Sequence, residues 1–580
     1  MTSDKPLPKR LQPALRALEK DLFERSKLPA VEAGLRAAWD AEKASGETGQ
    51  GFDPWRRARV TQLAVAWVLS VVFVRTLEDR GLIDPRIAGP DAAHLAAARD
   101  REATFVQIAP FLGPREYLLA VFRELSHLSG AREVFDAQHN PVWVLAPSSE
   151  GARALLDFFQ SVDATTGAPA LTFPGADTRF LGDLYQDLSE AVRKRYALLQ
   201  TPDFVEMFIL EQTLHPAIAE FGLAEVKLID PTCGSGHFLL GAFRDLLERW
   251  RHAEPGTPVE ELAHRALAQV HGVDINPYAV AIARFRLVLA VLEAVGITRL
   301  DMAPALRPKV VVADSLLHRL QAQQRLSQQV SIEEWASWGD AIFRLSEPVA
   351  VGEVLAQRYH AVVGNPPYVR EADTVKRRLY IDMYESAAGK YTLSAPFTER
   401  FLTLAVSGGF VGLINANAFT KRDFGQTLIQ KVLPRFELLK IVSTSGAYIP
   451  GHGTPTLILF ARNHTPSFDR HAVAVLTKRG EPSEPPVPAA APAWTEIATQ
   501  HDTVGFEGNY ISVESVTRRE LAKHPWVLVG GGARELKERL ESIAPAMLGQ
   551  MTENLGVSIS IGHDDVFLRP NSSPQSRGLP

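Results

Sequence analysis

At 580 residues and 63.7 kDa the chain is too long for one hydrophobic core, since about 150 residues make a domain. With 46% apolar and 22% charged residues and a mean hydropathy of -0.05, wholesale disorder is excluded. The 62 basic and 67 acidic residues leave a net charge of -5, so any polyanionic partner must be held by a local basic face. The one cysteine, Cys233, excludes an internal disulfide and a Cys-rich zinc module, and fits a reducing, cytoplasmic setting. The opening MTSDKPLPKRLQ has no apolar stretch behind its charges and does not read as a signal peptide. The apolar run from Leu63 to Val74 is short of the roughly 20 residues a bilayer crossing takes, so a buried helix and no membrane partner are expected.

From Leu11 to about Arg195, helical spacing (Leu15, Leu18, Leu22; Val60, Leu63, Ala64, Trp67) predicts a mostly helical N-terminal domain over 1–195. Loops are expected at Ser45 to Asp53 and Gly167 to Asp177. From Val226 short aliphatic runs alternate with amphipathic helices, which predicts an α/β core with a mostly parallel sheet over 196–480. The runs are Val226 to Ile229, Val270 to Val273, Val310 to Val312, Ala361 to Val363, Phe410 to Ile414, Leu439 to Val442 and Leu457 to Phe460. Gly451-His452-Gly453 predicts a hairpin, with the final pair of strands antiparallel. Five prolines between Pro482 and Pro492 suggest a linker over 481–494, followed by a C-terminal segment, 495–580, with an amphipathic helix around Leu536 to Ile543.

The stretch LIDPTCGSGHFLLGAF places Asp230 at a strand end, then Thr232, Gly234 and Gly236 in a tight loop before a helix. Such a loop forms a pocket at the carboxyl edge of an open α/β sheet and lets backbone approach a ligand. A nucleotide-phosphate loop and a plain turn remain alternatives, but Leu239 replaces the third glycine of a dinucleotide fingerprint and no GxxxxGK[ST] follows the strand. Asp274, followed by Ile275, ends the second strand and suits vicinal ribose hydroxyls, or caps the helix that follows. Asp314 ends the third strand. Three acids at one edge match the groups of S-adenosylmethionine (SAM): an amino acid end, a ribose and an adenine amino group.

The string HAVVGNPPYV sets Asn365-Pro366-Pro367-Tyr368 after the fourth strand. The prolines remove two N–H donors, so the Asn365 side-chain oxygen and the Pro366 carbonyl can both accept from one amino group, orienting its lone pair for in-line transfer. Tyr368 offers a face on which a planar base could stack. A rigid turn is the alternative, and the upstream glycine loop disfavours it. Lys376, Arg377, Arg378, Lys421 and Arg422 are candidate phosphate contacts, or a solvated face. No serine or cysteine triad, metal-ligand spacing or nuclease constellation is evident; a duplex substrate would require base flipping.

Together, DPTCGSG, VDINP, VVADSLL and GNPPYV resemble the gamma-class amino-methyltransferases that modify adenine N6 in DNA. YALLQTPDFV resembles the segment that touches the SAM amino acid end in that class, with Thr201 and Pro202 in the matching positions. VVFVRTLEDRGLID, TRFLGDLYQDLSE and LTKRGEPSEPP further resemble the PglX-type adenine methyltransferases of BREX and phage-growth-limitation systems. The resemblance implies a Rossmann-like SAM-dependent fold, double-stranded DNA as substrate, self-marking of host DNA and other phage-defence proteins as partners. Such proteins continue beyond SISIGHDDVF, so 495–580 is expected to be the start of a truncated target-recognition domain. Methylation of RNA adenine or protein glutamine, and a SAM-binding scaffold without catalysis, are the competing readings.

Overall fold

The longest helix of the N-terminal region, Phe52–Asp79, is buried along most of its length, including the expected run from Leu63 to Val74. It is long and apolar enough to cross a bilayer by composition, yet 94% of its most apolar window is buried inside the protein. It ends because Gly81, at a left-handed φ of 69°, turns the chain back. There Leu82 N–H donates to the Leu77 carbonyl at 2.9 Å and Gly81 N–H to the Glu78 carbonyl at 2.9 Å. Helices Leu7–Arg25, Pro29–Ala44, Ala92–Ile108, Pro114–His127 and Ser149–Phe159 bear out the expected helical character of this region. The computed structural model describes residues 7–44, 48–173, 178–182, 201–317, 348–451, 454–467, 470–481, 484–546 and 551.

Every expected strand is present: β1 (Leu228–Asp230), β2 (Val270–Asp274), β3 (Lys309–Val312), β4 (Tyr359–Gly364), β5 (Ala405–Ala416), β6 (Glu437–Ser443) and β7 (Thr456–Arg462). Two more, β8 (His471–Thr477) and β9 (Ile511–Thr517), were not anticipated. The sheet order is β3-β2-β1-β4-β5-β7-β6-β8-β9. Strands β1 to β5 run parallel, and β7 runs antiparallel to both β5 and β6, as expected for the final pair. His452 and Gly453 of the anticipated hairpin lie outside the described residues.

Side chains alternate across the sheet with period two. Leu228, Val270, Val310, Ala361 and Ile414 enter the core shared with the N-terminal helices, whereas Ile229, Val273, Val311, Val362 and Leu413 enter the core on the opposite face. Helix Pro277–Val295 joins the helical region to the sheet: Phe285 stacks on Phe73 with ring centroids 4.4 Å apart.

The Pro-rich stretch leads into helix Pro492–Gln500, which buries Trp494 and Ile497, and then into β9 at the sheet edge. One compact unit therefore runs to Leu528, and a second comprises Val529–Pro580. Within the second, helix Ala533–Ile543 exposes Leu536, Leu540 and Ile543. Residues 552–580, which include SISIGHDDVF, lie outside the described residues.

Candidate functional site

The strand order reverses between β2-β1 and β4-β5, where the carboxyl ends of an open sheet form a crevice. Four of the sequence-selected groups stand at those ends: Asp230 on β1, Asp274 on β2, Asp314 just beyond β3 and Asn365 just beyond β4.

The glycine loop is tied down from three sides. Asp230 Oδ1 accepts from the Thr232 N–H at 2.9 Å and its hydroxyl at 3.1 Å. Asp274 Oδ2 accepts from Gly234 N–H at 2.9 Å, and its Oδ1 from Asn276 N–H at 2.8 Å. The buried Arg286 guanidinium donates to the Ser235 carbonyl at 2.8 Å. Gly234 has a φ of 53°, and open space stands where its side chain would be. Gly236, at φ 83°, opens helix His237–Ala253, and a Cβ there would sit 2.9 Å from that of Ala283. Both positions need glycine, the first for conformation and the second for packing as well. Asn276 rather than Asp274 caps the following helix, its side chain accepting from Tyr278 N–H at 3.0 Å. Asp274 thus serves the loop and the edge, not the cap.

Burial raises the Asp230 carboxyl to about 8, the Thr232 bonds opposing the shift, and raises Asp274 to about 6. Glu206, 6% exposed on helix Asp203–Glu211, is raised to about 8 by burial and then by Asp203. Its carboxylate packs where a side chain on Gly241 would lie. Thr201, buried, and Pro202 precede that helix directly, Pro202 at its N-cap position. Ile275 is 40% exposed next to Asp274, a lone apolar side chain at a polar edge. Asp314 is buried, its Oδ1 accepting from Leu316 N–H at 3.0 Å and its Oδ2 from the Tyr380 hydroxyl at 2.6 Å.

At the end of β4 the Tyr368 hydroxyl donates to Asn365 Oδ1 at 2.7 Å. This bond orients the amide, whose oxygen is of a kind that can accept from two donors. Burial pushes the Tyr368 phenol well above its ordinary value, so it stays a donor. Gly364 brings the strand end against β1: a Cβ there would stand 2.5 Å from Asp230 Oδ1, 2.9 Å from Thr232 Oγ1 and 3.0 Å from the Phe401 ring. The glycine loop and the Asn-Pro-Pro-Tyr turn therefore approach each other across a residue with no side chain.

The basic residues follow the same edge. Lys376, Arg377 and Arg378 lie on helix Thr374–Met383, capped by Asp373, whose carboxylate also accepts from Gly49 N–H at 2.7 Å. Arg378 pairs with Asp382 at 3.2 Å on an exposed face, and Arg377 donates to the Gly389 carbonyl at 3.0 Å and keeps its charge. Lys421 and Arg422 are exposed after the turn Asn417–Thr420 that leaves β5. Among the described residues no group of three His, Cys, Asp or Glu side chains could hold a metal ion. Sequence reasoning missed Tyr380, Glu206 and Arg286. Tyr380 and Tyr384 share a helical face, but nothing local indicates what that face meets.

A mostly parallel sheet ordered β3-β2-β1-β4-β5-β7-β6 with β7 reversed is a Rossmann-like α/β core, here with acids at the ends of its first three strands. Residues 268–449 match the family described as Eco57I restriction-modification methylase. The chain is 42% identical, over 96% of its length and 48% of the relative's, to the adenine-specific methyltransferase PglX of Streptomyces coelicolor. It is 28% identical to the type II methyltransferase M.PaeR7I of Pseudomonas aeruginosa, over 60% of this chain and 52% of that one. The solved structure of the ATP-dependent type ISP restriction-modification enzyme LlaBIII bound to DNA aligns with 80% of this chain and 29% of its own, at 13% identity and a TM-score of 0.47. This chain spans about half the length of the two sequence relatives. The resemblance to PglX-type proteins, read first from short motifs, is borne out along nearly the whole chain.

Proposed function

We propose that the chain carries the catalytic part of an adenine-specific DNA methyltransferase that uses SAM. The observation that carries this reading is the close approach at Gly364, which joins an acid-lined cofactor edge to an Asn-Pro-Pro-Tyr turn. The residues suit the cofactor: open space stands beside Gly234, and the edge offers acceptors without a phosphate-binding lysine. When bound, SAM supplies a methyl group on a cationic sulfur.

The remaining chemistry falls to the chain. Thr201, Pro202, Asp230, Thr232, Gly234 and Gly236 would hold the amino acid end, Asp274 would accept from the ribose hydroxyls, Ile275 would cover a ring face and Asp314 would accept from the adenine amino group. Asn365 Oδ1 and the Pro366 carbonyl would accept from the two hydrogens of the target amine and so fix the direction of its lone pair. Pro367 keeps the turn rigid, and Tyr368 orients Asn365 and offers a stacking face. The methylated amine would be acidic enough to release its proton to solvent, so the chain need supply no general base. An adenine inside a duplex cannot reach this turn, so it is flipped out, with Lys376, Arg377, Arg378, Lys421 and Arg422 along the phosphates.

In this reading 1–195 is a helical region and the catalytic part extends past the expected boundary at 480, because helix Pro492–Gln500 and β9 pack with its sheet in the unit that ends at Leu528. The biological role is self-marking of host DNA in a phage-defence system with other defence proteins. The test is methyl transfer from labelled SAM to unmethylated bacterial DNA, with Asn365→Ala beside the wild type. The variant should bind S-adenosylhomocysteine as the wild type does and transfer nothing. Equal transfer by both, or label appearing in RNA or protein instead of DNA, refutes the proposal.

A further inference from the structure

Asp314 has a partner that no motif announces. Tyr380, 2% exposed on helix Thr374–Met383, reaches across 66 residues of sequence to donate its hydroxyl to Asp314 Oδ2 at 2.6 Å. A donor this short to a carboxylate is of the stronger, charge-assisted kind. The course of the surrounding loop is secured without it. Tyr384 donates to the Leu316 carbonyl at 2.8 Å, Ser315 Oγ to the Pro231 carbonyl at 2.6 Å, and Arg400 Nε to the Ser315 carbonyl at 3.0 Å. Those bonds fix backbone. The Tyr380 bond acts instead on the carboxylate itself, by fixing its rotation.

With Leu316 N–H on Oδ1 and Tyr380 on Oδ2, both oxygens are held in place and each keeps a further acceptor site. We infer that Tyr380 is a positioning residue for the cofactor's adenine, holding the Asp314 carboxylate in the orientation that accepts the exocyclic amine. The inference rests on the proposed role of Asp314 in SAM recognition. Tyr380 does not touch the cofactor in this scheme; it sets how sharply the site tells a 6-amino purine from a 6-oxo purine. A carboxylate free to rotate would accept a given donor less well and tolerate its replacement more readily.

The experiment compares, by calorimetry on the full chain, S-adenosylhomocysteine with S-inosylhomocysteine, in which a 6-oxo group replaces the amine. The wild type should prefer the adenosyl compound. Tyr380→Phe should weaken the adenosyl compound by about 5- to 20-fold, as expected for one lost bond to a charged group, and leave the inosyl compound nearly unchanged. Tyr384→Phe, which removes a backbone-holding bond of similar length, should leave the preference intact. Asp314→Ala separates the two levels of the argument. If that variant keeps the wild-type preference, the reading of Asp314 fails. If it loses the preference while Tyr380→Phe retains it, Asp314 stands and the inference about Tyr380 is overturned. Equal weakening of both compounds by Tyr380→Phe also overturns it, since a structural tyrosine would do just that.

Discussion

Gly364→Ala tests whether the cofactor edge and the Asn-Pro-Pro-Tyr turn work as one unit. The added methyl would lie 2.5 Å from Asp230 Oδ1, well inside van der Waals contact, and 3.0 Å from the rigid Phe401 ring. The carboxylate cannot swing away freely, because the same oxygen accepts from Thr232 N–H at 2.9 Å and from its hydroxyl at 3.1 Å. Overpacking a tight site costs about 1–3 kcal/mol, and disturbing hydrogen bonds to a charged or buried group costs a similar amount. A loss of about 2–4 kcal/mol is therefore expected in urea denaturation. Because the displaced atoms are those of the proposed site, S-adenosylhomocysteine affinity and methyl transfer should fall as well. Gly256→Ala, with nothing within 4 Å of the new methyl, is the comparison and should stay within about 0.5 kcal/mol of wild type. A Gly364→Ala protein with wild-type stability and transfer would refute the claim that these two strand ends depend on a missing side chain.

Two further outcomes follow from buried charges. Arg75 is fully buried, pairs with Asp79 at 3.0 Å and Glu78 at 3.4 Å, and donates to the Gly89 and Leu171 carbonyls at 2.9 Å each. Arg75→Met leaves buried acids without their counter-ion and should cost about 3–5 kcal/mol in chemical denaturation; a loss below about 1 kcal/mol would contradict the network. The raised Asp230 and Glu206 set a pH dependence: both lie near 8 in the folded chain, above their ordinary values of 3.8 and 4.5. The folded state holds protons that the unfolded state releases, so this stability is complete below about pH 4 and lost as pH climbs through about 8. Melting temperature should fall between pH 6 and 9, and less steeply in an Asp230→Asn, Glu206→Gln double variant; identical slopes would contradict the assignment.

Much of the architecture was legible because it is written in local pattern. An aliphatic run ending in an acid, then glycines and an amphipathic helix, can form one βα turn and little else, so the strands bearing Asp230, Asp274 and Asn365 were found in order. The prolines of the Asn-Pro-Pro-Tyr turn restrict their own backbone, which also needs no distant partner. The strand β9 was not legible, since its Ile511–Thr517 run is short and follows a stretch whose prolines read as a linker. Only the exposed ladder of β8 makes it a strand, by pairing His471 to Thr477 with Thr517 to Ile511.

What the sequence alone determined, then, is the set of groups brought to one sheet edge, because side-chain periodicity and turn chemistry operate within a few residues. What only the tertiary structure decided is how those groups are held. Tyr380 meets Asp314, Arg286 meets the Ser235 carbonyl, Asp373 meets Gly49 and Gly364 leaves room for Asp230. Each joins segments far apart in the chain, and each is set by which helix face packs on which strand end, a choice that no local pattern contains.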